Sequence, residues 1–306
     1  MRRPFEIVKV VGCLGDRALR VRDHYPEFEK VLAKTGIETV YSASVDAAEL
    51  AGRAASNLLD QTTINRNAIT ALLVVSQSPR YFLPGISSLV HAEIGLSSSC
   101  IAFDINQGCS GFVQGLIVAN SFVEHGQYVL LVCTDTYRQK TRPGDRSTQT
   151  VFSDGATATL ISAEPKVMIA AEEHFSDGSG RRHLYQKVDE SENDGFLHMA
   201  GSDVYVFTKR IVESQIRSAV AKAGLLPSDI QSVFPHQASR LVLNELSAKL
   251  HDFREVVVDV EHTGNLVSSS IPYLLTRRLD DLYQGANVLT GFGVGLSAST
   301  VVLRAL

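Results

Sequence analysis

Tryptophan is absent from this 306-residue chain, cysteine occurs only four times, and neither sign of charge dominates, the formal net charge being −4. With no indole, the chain has no large flat side chain of that kind to stack on a ligand ring. The near-balance of charge, with 44% hydrophobic and 20% charged residues, describes an ordinary globular protein and gives a nucleic-acid partner no footing. Cys13, Cys100, Cys109 and Cys133 lie far apart with no Cys-x-x-Cys pair, which argues against a zinc site and against a disulfide framework. Long apolar runs are missing too. Segments 71–75 and 128–133 are far too short to cross a bilayer, and no signal-peptide core follows Arg2 and Arg3, so the expected compartment is the cytoplasm, with no membrane partner.

What the chain does have is a repeat. A helical pattern at 47–61 leads to the apolar strand 71–76, and the pattern at 206–221 leads through Leu226-Pro227-Ser228-Asp229 to the strand 230–235, an offset of 159. The same offset carries Asn106 onto Asn265 and 128–135 onto 287–294. The next strands, 156–161 and 296–301, match only at an offset of 140, so about 19 extra residues, 136–154, are expected between the last two strands of the first half. Two copies of a strand–helix unit whose strands are apolar along their length predict sheets covered on both faces by helices, in a five-layer α/β/α/β/α duplication. The helix after Cys109 carries Phe112, Val113, Leu116, Ile117, Ala119 and Phe122 with few charges, so it is read as the buried central layer. The halves are set at 1–163 and 164–306.

Cys109 stands between Gly108 and Ser110-Gly111 at the mouth of that helix. Free N–H groups and the helix dipole at such a terminus stabilise a thiolate, so a depressed pKa and a nucleophile are expected; the alternative is a small buried hydrophobe. The second half supplies partners: Pro235-His236-Gln237-Ala238-Ser239 at a strand end, where α/β folds place chemistry, and Asn265 in the turn that duplicates the cysteine turn. A pseudo-twofold axis relating the halves brings the three together.

These segments, Cys109-Ser110-Gly111-Phe112, Pro235-His236-Gln237-Ala238 and Gly264-Asn265, resemble the β-ketoacyl-[acyl-carrier-protein] synthase III family of the thiolase superfamily. Lys34-Thr35-Gly36-Ile37, Phe152-Ser153-Asp154-Gly155-Ala156 and Gly291-Phe292-Gly293-Val294-Gly295 are similar to it as well. The resemblance implies a thiolase-like fold with two mixed sheets around the central helices. It implies a decarboxylative condensation: Cys109 takes an acyl group from a thioester, the backbone N–H groups of Cys109 and Val294 form an oxyanion hole, and His236 with Asn265 stabilises the enolate of a malonyl-acyl-carrier-protein. No metal and no cofactor are implied, the partners being an acyl carrier protein, an acyl thioester and a second copy in a homodimer.

The sequence also departs from the family. Arg146 matches an arginine that stacks on the adenine of coenzyme A, but Lys30 stands where the family has tryptophan. Leu83 replaces a phenylalanine that closes the acyl pocket across the dimer. Arg240 and Lys249 are candidate contacts for the carrier protein, or an ordinary solvated helix face. Two other functions fit the same residues: transfer of the acyl group from Cys109 to a hydroxyl or amine, and a partner subunit in a condensing heterodimer.

Overall fold

In a computed structural model, which describes residues 3–187 and 195–306, the strands are β1 (Phe5–Leu14), β2 (Arg17–Arg20), β3 (Thr39–Ser42), β4 (Ile69–Val75), β5 (Ile101–Ile105), β6 (Tyr128–Asp135), β7 (Gly155–Ser176), β8 (Leu184–Gln186), β9 (Leu197–Met199), β10 (Ile230–Pro235), β11 (Ala286–Gly293) and β12 (Ser297–Ala305). The helices are α1 (Val21–His24), α2 (Glu29–Thr35), α3 (Ala47–Asp60), α4 (Ile86–Glu93), α5 (Gly111–Asn120), α6 (Gly201–Lys222), α7 (Arg240–Lys249) and α8 (Ser270–Arg278).

β7 is 22 residues long and serves two sheets. Its first part, from Gly155 to Ser162, pairs antiparallel with β1 and β6, and β6 continues in parallel to β4 and β5. Its last part, from Val167 to Ser176, pairs with β12, which leads to β11 and β10. Both sheets are therefore mixed, and residue 163 lies inside the strand they share. Phe112, Val113, Leu116 and Ala119 of α5 and Ile271, Leu274 and Leu275 of α8 pack between the sheets. Helices α3 and α4 cover the outer face of the first sheet, and α6 and α7 that of the second. The five expected layers are present.

Burial, not local signals, holds the central layer. Ser110 makes no side-chain capping bond to α5, a feature worth about 1 kcal/mol. Against that, Phe112, Val113 and Leu116 are wholly buried, at about 1.5–3 kcal/mol for each large side chain.

The structure corrects the repeat's register. β6 matches β11 from Tyr128 and Ala286 to Asp135 and Gly293, one residue short of the expected offset. In a strand a one-residue slip exchanges the faces, and only the corrected register puts Leu131 and its counterpart Leu289 in the same central layer. Likewise Asp135 pairs with Gly155 and Gly293 with Ser297, so residues 136–154 stand opposite the short turn 294–296.

Candidate active site

The central helix mouths open on a cavity of about 210 Å³. Cys109, His236 and Asn265 all line it, with Phe152, Phe292 and Gly293 beside them and Val31, Thr35 and Arg146 also in its wall. The three residues that the repeat predicts to converge therefore do so.

Each is fixed from behind. Cys109 precedes α5, and the residue is 4% exposed. A Cβ on Gly293 would lie 2.9 Å from its Sγ, so glycine is what lets the end of β11 approach the sulfur. The backbone N–H groups of Val294 and of Cys109 itself lie close enough to that sulfur to favour its anion. His236 follows β10 and donates its N–H to Thr290 O at 2.8 Å. Buried Gln237 locks the turn: its Nε2 donates to Pro235 O and Val257 O, and its Oε1 accepts from the Asp259 N–H. The edge of Phe292 meets the imidazole at a centroid distance of 5.6 Å.

Asn265 is held by the Phe152-Ser153 segment. Its N–H donates to Val151 O and its carbonyl accepts from the Ser153 N–H, both at 2.9 Å. Gly264, at φ +63°, has no room for a side chain, since a Cβ would sit 2.7 Å from Ser153 Oγ. Val267 adopts φ +53°, an outlier for a β-branched residue. That strained turn aims the Val267 N–H at Asn265 Oδ1, at 2.9 Å. With its oxygen occupied, the carboxamide has its Nδ2 left to donate into the cavity.

The electrostatics overturn one expectation. Burial pushes the Cys109 thiol up to about 12, aided by the nearby Asp135 charge and opposed by the Val294 and Cys109 N–H groups. A helix terminus offers roughly 0.3–1 kcal/mol, whereas burying an ion costs several. Desolvation wins, and Cys109 rests as a thiol. Burial also drives His236 down to about 3. Its imidazole is neutral, with Nδ1 buried and unpartnered among the described residues.

The remaining predicted residues are scattered. Exposed Lys30 sits on α2 beside the wall residue Val31. Leu83 is 80% exposed, with Tyr81 and Phe82, on the loop between β4 and α4, and is not among the cavity-lining residues. Arg240 pairs with Glu261, and Lys249 Nζ donates to Lys209 O at 2.8 Å. Sequence reasoning missed Tyr137, whose ring packs at 5.2 Å on Phe152 in the cluster around Cys109. It also missed Asp135, fully buried at the end of β6; a lone acid closing an apolar strand was the available signal.

Comparison with known proteins gives concordant results. The model described as 3-oxoacyl-[acyl-carrier-protein (ACP)] synthase III matches residues 103–178, and its C-terminal counterpart matches 220–305. The chain is similar to beta-ketoacyl-[acyl-carrier-protein] synthase III 1 of Lactiplantibacillus plantarum, at 31% identity over 293 residues and 90% of each chain. Similarity to the synthase III of Clostridioides difficile is 32% over 295 residues, covering 90% of this chain and 89% of the other. Among solved structures, 3-oxoacyl-(acyl carrier protein) synthase III from Pseudomonas aeruginosa superposes with a TM-score of 0.88 at 28% identity, over 99% of this chain and 98% of that one. No helix among the described residues is long and apolar enough to cross a membrane.

Proposed function

Because this chain belongs to the 3-oxoacyl-[acyl-carrier-protein] synthase III family, we propose that Cys109, His236 and Asn265 carry out its decarboxylative condensation. The protein is an acyltransferase-type condensing enzyme. In the first half-reaction Cys109 Sγ bonds to the carbonyl carbon of an acyl thioester, whose thiol leaves with the cysteine proton. The N–H groups of Cys109 and Val294 donate hydrogen bonds to the carbonyl oxygen as it gains negative charge. In the second, the carbon–carboxylate bond of a malonyl-carrier thioester breaks and carbon dioxide departs. The electron pair moves into an enolate, whose oxygen takes hydrogen bonds from His236 Nε2–H and Asn265 Nδ2–H. The enolate carbon then bonds to the acyl carbon, and Cys109 leaves as the free thiol after reprotonation.

One observation carries this reading: next to the sulfur stand two neutral donors, an imidazole too desolvated to take a proton and a carboxamide whose oxygen is already engaged. Such a pair suits an enolate. It suits poorly the transfer of an acyl group to a hydroxyl or amine, which needs a base. A non-catalytic partner subunit has no use for the intact nucleophile.

Arg146 at the cavity wall and Lys30 near it are proposed to meet the acyl donor, and Arg240 and Lys249 on α7 the carrier protein. A homodimer is proposed in which a second copy covers the exposed Tyr81-Phe82-Leu83 loop, with cytoplasmic residence and no metal or cofactor. The test is a mass-spectrometric assay with malonyl-carrier protein and a panel of acyl thioesters. A β-ketoacyl product with release of carbon dioxide is expected; acylated hydroxyl or amine without carbon dioxide would replace condensation by simple transfer.

A further inference from the structure

The repeat that equates Asn106 with Asn265 also equates Cys109 with Ser268, and the local bonds agree. Gly111 N–H donates to Gly108 O at the mouth of α5, and Ser270 N–H to Val267 O at the mouth of α8. Each mouth residue faces the end of a strand from the opposite half: Cys109 meets Gly293, the last residue of β11, and Ser268 meets Asp135, the last residue of β6. In the corrected register those two strand ends are equivalent.

Their chemistry is opposite. Gly293 leaves space for a sulfur, and the following N–H points at it. Asp135 instead fills the space with a carboxylate. Its Oδ2 accepts from Ser268 Oγ at 2.5 Å and from the Ser268 N–H at 3.3 Å. Its Oδ1 accepts from the Gln77 N–H at 2.8 Å and from Ser78 Oγ at 3.2 Å. Gln77 in turn accepts from Tyr137 Oη at 2.8 Å, donates to Asn106 Oδ1 at 3.2 Å, and lies against Gly108, where a Cβ would come within 2.6 Å of its Oε1. One buried carboxylate thus touches the turn that holds Asn265 and the loop that braces the turn of Cys109.

We infer that Asp135 is a positioning residue for the condensation: it ties the Asn265 turn to the Cys109 turn and holds a negative charge near the sulfur. This rests on the roles proposed for Cys109 and Asn265. Four donors satisfy the carboxylate and no basic side chain among the described residues pairs with it, yet burial outweighs those bonds and pushes its pKa up to about 7, so it is charged above that pH. The titratable groups that face it or the sulfur are Cys133 of β6, Tyr137, Cys109 and, across the cavity, His236. The charge opposes ionisation of the three that form anions. It adds to the desolvation that keeps Cys109 a thiol.

The test is Asp135→Asn in the full chain, read by the rate at which iodoacetamide alkylates Cys109 across pH, with the site located by mass. The alkylation profile is expected to move toward lower pH, with labelling at pH 8 about tenfold faster, since each unit of thiol pKa is worth about tenfold in thiolate. Condensation kcat is expected to fall at least about tenfold while KM for the acyl thioester stays within about twofold. An alkylation profile that coincides with the wild type's in a folded variant would overturn the inference. Ser268→Ala cuts the link to the Asn265 turn and removes the hydrogen bond that most favours the Asp135 charge, so it should lower kcat and move alkylation in the same direction as Asp135→Asn; unchanged kcat there would also overturn it, even if Asp135→Asn fails to fold. A wild type that alkylates normally but condenses nothing would refute the proposed function instead, and the alkylation arm would still decide the role of the charge.

Discussion

The mouths of α5 and α8 share one turn hydrogen bond, although Val267 sits at φ +53° and its counterpart Gly108 does not, and one presents Cys109 to a glycine and an N–H while the other presents Ser268 to a carboxylate. The shared turn bond is therefore not what sets the two mouths apart. The difference lies in what closes the opposing strand: Gly293 admits the reacting atoms and leaves donors for a developing oxyanion, whereas Asp135 occupies that room and would repel one. On the roles proposed for Cys109 and Asp135, one mouth is the reaction site and the other its brace.

The largest expected effect comes from breaking the working mouth itself. Cys109→Ala should abolish acyl loading and lower condensation by about 10³-fold or more, measured by intact mass and product formation. Next in size, His236→Ala and Asn265→Ala should each cut condensation by about 10²–10³-fold, the scale of a lost oxyanion donor. Both should still load an acyl group on Cys109, so single-turnover kinetics separate the two half-reactions. Gly293→Ala would make the working mouth resemble its counterpart by adding a Cβ 2.9 Å from the sulfur. Slower alkylation of Cys109, by roughly tenfold or more, is expected with the Asn265 turn undisturbed.

The smallest effect is on stability. His236 has a folded pKa of about 3 because it is buried, against about 6.5 when unfolded. Between those values the unfolded chain binds the proton and the folded one does not, so this residue's contribution is intact above pH 6.5 and is lost as pH falls toward 3. His236→Gln should flatten that part of the stability curve by about 1–4 kcal/mol. Denaturant unfolding at pH 7 and pH 4.5 checks it.

Much of this site was legible in the sequence because covalent order and spatial order coincide in a duplication. Cys109, His236 and Asn265 each sit at a strand or helix end, and the repeat brings such ends together. The register of β11 was not legible. Its residues from Ala286 to Gly293 are buried on both faces, so no alternation of polar and apolar side chains marks which one-residue frame is right. The thiol's protonation state was not legible either, because a glycine-flanked helix entry signals the dipole but not the depth of burial that outweighs it. Asp135 escaped notice for a related reason: its four donors come from two segments far from it in the chain, Gln77-Ser78 and Ser268. Leu83 shows a different limit, since the environment of an exposed loop depends on what covers it.

Between the two half-reactions the sulfur at the mouth of α5 is proposed to carry the acyl group. Incubating the protein with short, medium and long acyl thioesters and mapping the added mass by peptide locates that group. One acyl group is expected, on Cys109 alone, discharged when malonyl-carrier protein is added. Condensation with Cys109 unlabelled, or an acyl group on Ser268, would rule out Cys109 as the carrier.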